Sequence, residues 1–536
     1  MDQVRASEVN TPLPTLVVFT VLFSLPITLA LSVVVGWRYC AGVRRLMRLA
    51  PLPSEAVVAG PGESPLPSGP PQAFAPPRGR ERRLVVALAL LSLLIGATSA
   101  TLYLLVHFGG LAPVRLLILA LVMATPGLVL QAQILRWPFP RQLLALSCWG
   151  LALLLLVRLA SAASGQNQFG LVVPQLLGPL LVLGLLFGIP GLRAIAPFLF
   201  PPVVSLVLLA VLGQQVLAAL VANGPGGVLG VLLSLVGAGG TFLLFTLVPI
   251  AIALLPAHAL TAALGRLYRA KAFSELSYLF GASWFLILLL QVIPGWNRLA
   301  SYGNPWDLRP LLPLLAWLWI PLFFARFRRS FPAPGASGAP TLLVLRVFRR
   351  SGPVGWLFDH VVQRWRVIGP VLLISAADLA SRTIEPDELV SFLEGRLRDR
   401  YILEAEDLHR QLAAIDASPD HDGRYRVTDF CCYASTWKQT LDALLSRSTS
   451  VLMDLRGFTT HNQGCLYELG RISQSSHLSG VVVLGDGHSD REVAENVLQA
   501  HPGSPHVQWV EATKQRVVAV DGLLDRLLAP LQEPRI

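Results

Sequence analysis

The sequence predicts two joined folds: an α-helical polytopic membrane domain, and after it a C-terminal α/β domain. The second is expected to be an open, doubly wound, mainly parallel sheet of the flavodoxin-like kind. Three observations carry this. Hydrophobic residues make up 53% of the 536 positions, charged residues only 14%, and the mean hydropathy is +0.58, values that belong to integral membrane proteins. The charge changes character near residue 340: residues 1–340 hold 22 Lys+Arg against 7 Asp+Glu, and residues 341–536 hold 21 against 25. Beyond that point the long apolar runs give way to short apolar strands alternating with amphipathic helices, the pattern of a parallel sheet covered on both faces.

Taking the elements in order, a bilayer core needs roughly 20 apolar residues in a helix. Nine stretches qualify, at about 15–37, 84–108, 114–135, 142–160, 171–189, 196–222, 227–255, 277–296 and 310–326. No basic n-region precedes the first, and it is too long for a cleaved signal peptide. With the N-terminus outside, the inner segments collect 17 of the 22 basic residues, leaving Arg5, Arg115, Arg158, Arg298 and Arg309 outside or at outer helix ends. This positive-inside asymmetry puts the C-terminal third in the cytoplasm of a cell membrane protein. Pro197, Pro201, Pro202 and Pro249 mark 196–222 and 227–255 as spans that kink or tilt. A cytoplasmic loop rich in Pro, Gly and Ser occupies 51–80, and 327–340 reads as a linker. The membrane domain is thus 1–326 and the α/β domain 341–536. No Asp, Glu, Lys or Arg lies near the middle of a span, which argues against an ion or proton pathway. The main polar residues there are Gln131, Gln133, Gln175, Gln214, Gln215 and Gln291; they serve interhelical hydrogen bonds or line a substrate path. Because the whole basic excess sits in the membrane half, nucleic acid is not an expected partner.

In the last third, strands are expected at 341–348, 366–375, 424–432, 450–455, 480–485 and 506–511. Helices are expected at 354–364, 385–401, 404–414, 435–447, 463–476, 490–500 and 513–528. Sheets of this kind bind ligands beyond the carboxyl ends of their strands, where the strand order reverses. The stretch "MDLRGFTTHNQGCLYELGRI" (453–472) falls at such an end. Strand 450–455 delivers Asp454, Arg456 and Phe458 to the edge, Asn462 is placed to cap the next helix, and Glu468 borders the stripe Cys465, Leu466, Leu469 and Ile472 that packs on the sheet. Asp454 and Arg456 either contact a ligand or form a structural ion pair. Phe458 either stacks on a base or ribose or closes the edge of the core. Arg349, Arg350 and Ser351 follow the first strand, where a phosphate meets a loop and a helix N-terminus. The cysteines show no metal-ligand spacing. "DASPDHDGRY" (416–425) lacks the later glutamate of a calcium loop, "GDGHSD" (485–490) lacks a completing glycine, and both read as turns.

The segment "NQGCLYELGRI", with the lead-in "WKQTLDALLSRSTSVLMDLRGF", resembles Toll/interleukin-1 receptor (TIR) domains over about residues 434–472. The likeness extends loosely to "LLVLRVFRRSGPVGWLFDHV" as the family's first strand, loop and helix. "NQGCLYELG" is also similar to nucleoside 2-deoxyribosyltransferases, with Asn462 where that motif has Asp. Both resemblances imply cleavage of an N-glycosidic bond. The TIR resemblance implies NAD as substrate, with no further cofactor and with Glu468 as the catalytic glutamate, in a membrane-tethered defence effector switched on by self-association. A non-catalytic membrane receptor or scaffold, its α/β domain binding nucleotide or protein partners, is the alternative.

Overall fold

A computed structural model describes residues 13–48, 77–135, 137, 139–164, 194–222, 224, 226–302, 307–329, 339–346, 357–375, 384, 386–433, 435–512 and 520–532. The chain forms two compact units: Met1–Trp37 with Val85–Ala325 and Ile384–Val390, and Arg38–Leu84 with Arg326–Thr383 and Ser391–Ile536.

The helical part of the chain consists of α1 (Leu13–Arg48), α2 (Pro77–Phe108), α3 (Pro113–Ala124), α4 (Pro126–Ile134), α5 (Phe139–Ser164), α6 (Ala196–Ala222), α7 (Gly227–Arg269), α8 (Glu275–Tyr302) and, after a 3-10 turn at Arg309–Leu318, α9 (Trp319–Arg328); the C-terminal end of α1, the N-terminal end of α2 and the last residues of α9 fall in the second unit. Among the described residues seven helical stretches are long and apolar enough to cross a membrane, which marks a multi-pass membrane protein. The span expected at 171–189 lies outside the described residues, and that at 142–160 falls within α5, whose apolar core is shorter. The stretch 114–135 is two helices: Pro126 supplies no N–H for α3 to continue and opens α4. In α7 the kink sits at Gly237, whose φ of 70° is open to glycine and strained for other residues, twelve residues before the proline that the sequence singles out. Buried hydroxyls recur along α1, where Thr20, Ser24, Thr28 and Ser32 each donate to the carbonyl four residues back. That bond satisfies a hydroxyl inside an apolar bundle without a partner helix.

The second unit is a seven-stranded sheet, every pairing parallel: β1 (Leu342–Arg346), β2 (Val371–Ser375), β3 (Tyr401–Ile402), β4 (Val427–Cys432), β5 (Ser450–Asp454), β6 (Gly480–Gly485) and β7 (Val507–Glu511), in the order β3-β4-β2-β1-β5-β6-β7. Strand residues alternate between two cores, as the pleat requires. Leu343, Leu345, Val451, Met453, Val481 and Val483 pack on one face under α12 (Ala405–Ala413), α13 (Trp437–Arg447), α14 (Gln463–Ser473) and α15 (Arg491–Leu498). Leu342, Val344, Leu452, Val482 and Leu484 pack on the other, under a π-helical turn (Leu357–Val362) running into α10 (Gln363–Trp365), and under α16 (Val520–Gln532).

Two expectations change. The helix expected over 385–401 is α11 (Pro386–Leu393), then Gly395 at φ 76°, a 3-10 turn at Leu397–Arg400 and the edge strand β3. The left-handed glycine stops the helix, and Tyr401, expected as its last residue, instead joins Ile402 in a strand that pairs with Cys431 and Cys432. Without that two-residue edge strand the order is 3-2-1-4-5-6, not the flavodoxin order 2-1-3-4-5; one more strand lies on the β2 side.

Candidate functional site

The strand order reverses between β1 and β5, and their last residues, Arg346 and Asp454, are register partners. Each side chain is nearly out of solvent, at 5% and 6% exposure, so two opposite charges close the carboxyl edge at the point where parallel sheets hold ligands. Asp454 is already engaged: both of its oxygens receive the Arg456 guanidinium, at 2.7 and 2.6 Å, a bidentate pair of fixed geometry.

Glu468 sits in the second turn of α14 with 2% of its surface exposed. Its helix is fixed from one side by Trp437, which meets Tyr467 edge-on at 5.4 Å between ring centroids, and by the Arg471–Asp442 ion pair at 2.6 Å. Cys465, Leu469 and Ile472 are in the core. Glu468 therefore has the burial of a core residue and the chemistry of a surface one. Burial pushes its carboxyl up to about 8, while the Arg346 charge pulls in the opposite direction. Its Oε2 is fully enclosed and has no hydrogen-bond partner among the described residues. A buried acceptor left in this way costs about 1–3 kcal/mol, and such groups cluster at functional sites. The neighbouring Cys465 thiol is raised to about 12, first by burial and then by the Glu468 charge, so it is not a nucleophile at neutral pH.

The loop between β5 and α14 is held by the loop after β6. Asp486 Oδ1 accepts the Gly457 N–H at 3.0 Å and the His488 N–H at 3.1 Å, and the Ser489 hydroxyl lies 2.8 Å from both Asp486 Oδ1 and the Leu455 carbonyl. Asp490 accepts the Thr460 N–H and donates its own to the Phe458 carbonyl, each at 3.0 Å. Burial opposes ionisation of Asp486, but these donors outweigh it and hold the carboxyl below the ordinary range. The motif "GDGHSD" is thus a strand-end turn with a positioning task.

Other expected residues take different places. Phe458 is fully buried in the core under α14, which leaves its ring no free face for stacking. Asn462 occupies the N-cap position, yet its side chain makes no cap bond; Oδ1 accepts from the Thr459 N–H at 2.8 Å. Arg349, Arg350 and Ser351 lie outside the described residues. His461 is exposed. In "DASPDHDGRY", Asp420 pairs with Arg426 and Asp422 with Arg424, and no group of three metal-ligating side chains occurs among the described residues. Sequence reasoning passed over Arg346, although its signal was present: a lone arginine inside the apolar run "TLLVLRVF" has to be paid for by a partner. Compared with known proteins, the chain matches no family model, and neither a curated protein nor a solved structure is similar to it.

Proposed function

We propose that this multi-pass membrane protein is an N-glycosidase whose C-terminal α/β unit, a doubly wound fold facing the cytoplasm, cleaves NAD or a related nucleotide at Glu468. The observation that carries the reading is the enclosed Glu468 carboxyl, one oxygen without a partner, beside the buried Arg346 at the edge where the strand order reverses. In NAD the nicotinamide is bound as a cationic pyridinium and departs neutral, so the leaving group needs no proton. Positive charge instead develops on the ribose, as in the oxocarbenium-like transition state of glycoside hydrolysis. A carboxylate fixed beside C1′ stabilises that charge, and does so more strongly in a water-poor site than in solution. Arg346 favours the ionised form of Glu468, and the cationic substrate adds to that pull. The Asp454–Arg456 pair and the Asp486 clamp hold the loop that carries the ligand. The likeness of "NQGCLYELGRI" to TIR and deoxyribosyltransferase segments supports the same bond cleavage, and the TIR likeness implies that self-association on the membrane switches it on.

The test uses the full chain in lipid nanodiscs, at low and high protein-to-lipid ratio, with NAD and release of nicotinamide as the readout. Glu468→Gln and Glu468→Ala are expected to lose ~10²–10³-fold in turnover. Equal turnover by wild type and both variants would refute the assignment, and nucleotide binding with no turnover at any density would favour the receptor or scaffold.

A further inference from the structure

The membrane unit holds a second enclosed set of polar groups, between α2, α4 and α8. A side chain at Gly127 of α4 would run into both Ser92 of α2 and Trp284 of α8, so these three meet at one level. A side chain at Gly295 of α8 would meet Tyr103 and His107 of α2, so the two helices meet again further along. Offsets of 192 positions (Ser92 to Trp284, Tyr103 to Gly295) and 188 positions (His107 to Gly295) relate the residues that meet; α2 and α8 therefore run in the same direction. Those offsets put Ser99 within about one helical turn of the level of Gln291. Seven residues separate each from the lower pair, about 10.5 Å at 1.5 Å per residue. α4 wedges the helices apart below this level and they touch directly above it. Ser99 is fully buried and Gln291 is 7% exposed. Ser99 Oγ, both ends of the Gln291 amide and Trp284 Nε1 have no hydrogen-bond partner among the described residues. Ser92, two turns below on the same face, donates to the Leu88 carbonyl at 2.9 Å as the α1 hydroxyls do to theirs; Ser99 Oγ makes no such bond. Gln131 Nε2 lies 3.5 Å from Ser92 Oγ and closes the lower end.

We propose that Ser99 and Gln291 form a binding site for a small uncharged hydrogen-bonding molecule, either water or a solute of urea or glycerol size. An enclosed carboxamide in an apolar bundle is costly unless both its donor and its acceptor are used, and ordered water is the usual means. The occupant is neutral because Leu84–Phe108, Pro126–Ile134 and Leu276–Asn297 contain no Asp, Glu, Lys or Arg. It both donates and accepts, because the hydroxyl and the amide do.

The experiment places a single cysteine, Ser99→Cys, in full-length protein whose five native cysteines are replaced, and compares it with Ile95→Cys, an apolar position on the same helix that is likewise fully buried. Small neutral methyl methanethiosulfonate reports thiolate formation, which an apolar surrounding suppresses. The Ser99→Cys thiol is expected to label at least roughly tenfold faster than Ile95→Cys. Protection by molar urea or glycerol assigns a small amide or alcohol to the site, and unprotected labelling assigns water. Labelling no faster than at Ile95→Cys overturns the proposal. In the native cysteine background Gln291→Leu gives an independent reading: a lower melting temperature is expected because occupied contacts are lost, whereas a rise would mean a dry, unpaired amide and would overturn it too.

Discussion

Glu468→Gln isolates the cost of an ionisable group in an enclosed site. Glutamine keeps the shape of the protonated acid and cannot ionise. In the folded chain the Glu468 carboxyl titrates at about 8, and its ordinary value is 4.5. Between those two values the folded state holds a proton that the unfolded state has lost, so folding takes up a proton and stability falls as pH rises. The difference is about 3.5 units, and at ~1.4 kcal/mol per unit the wild type loses about 5 kcal/mol across the window. The variant has no such slope. Below about pH 5 the two proteins should melt together, since both present a neutral side chain beside Arg346. Above about pH 8 the variant should be the more stable by about 5 kcal/mol, roughly 10–20 °C in melting temperature for a domain of this size. The assay is the melting midpoint of the α/β unit in full-length protein, followed at half-unit intervals from pH 5 to 9. A difference that stays constant across this range, or that grows toward acid, would show that Glu468 is solvated and would remove the physical basis of the site.

Two further substitutions probe its surroundings. Arg346→Gln removes the charge that favours the carboxylate, so the midpoint of the pH–turnover curve for nicotinamide release should move up by about one unit and turnover at pH 7 should fall about tenfold; an unmoved midpoint would detach Arg346 from Glu468. Asp486→Ala deletes the acceptor that joins the loops after β5 and β6, at a cost of about 1–3 kcal/mol, read as faster hydrogen exchange in peptides covering residues 455–463. Because the Asp486 carboxyl is held below its ordinary range, its contribution is present above the unfolded value near 4 and is lost as pH falls through the lower folded value; an exchange difference that persisted unchanged well below that range would contradict the clamp.

Much of the fold was legible because its signals are local. Long uncharged runs gave the spans, and short apolar runs gave six strands, each overlapping an observed one. What escaped depended on partners distant in sequence. Tyr401 looks helical beside Leu397 and, with Ile402, becomes a strand only because the edge of β4 is open to them. Phe458 looks available in a polar loop, yet it is drawn into the core beside Cys465 and Leu469. Asn462 has the right type and place for a cap, but Thr459 offers its Oδ1 a nearer donor. Basic residues after the first strand drew attention to Arg349 and Arg350, whereas the buried cation is Arg346, made internal by pairing between β1 and β5. A sequence shows which residues can bear charge; the sheet order decides which charge is enclosed.

That enclosure also separates the two substrate classes left open by the resemblance. A carboxyl that titrates at about 8 is mostly protonated at neutral pH in the empty site. A pyridinium ribosyl group brings a positive charge to it and, with Arg346, draws it toward the carboxylate that the developing cation needs. A neutral nucleobase brings no such charge and, unlike nicotinamide, leaves well only when protonated, which the acid form of Glu468 is suited to supply. The same residue therefore serves a cationic substrate through its base form and a neutral one through its acid form. On the reading proposed here, NAD cleavage climbs toward pH 8, whereas release of a neutral base declines over the same interval, and the slope rather than the rate identifies the substrate for which the Arg346–Glu468 pair is set.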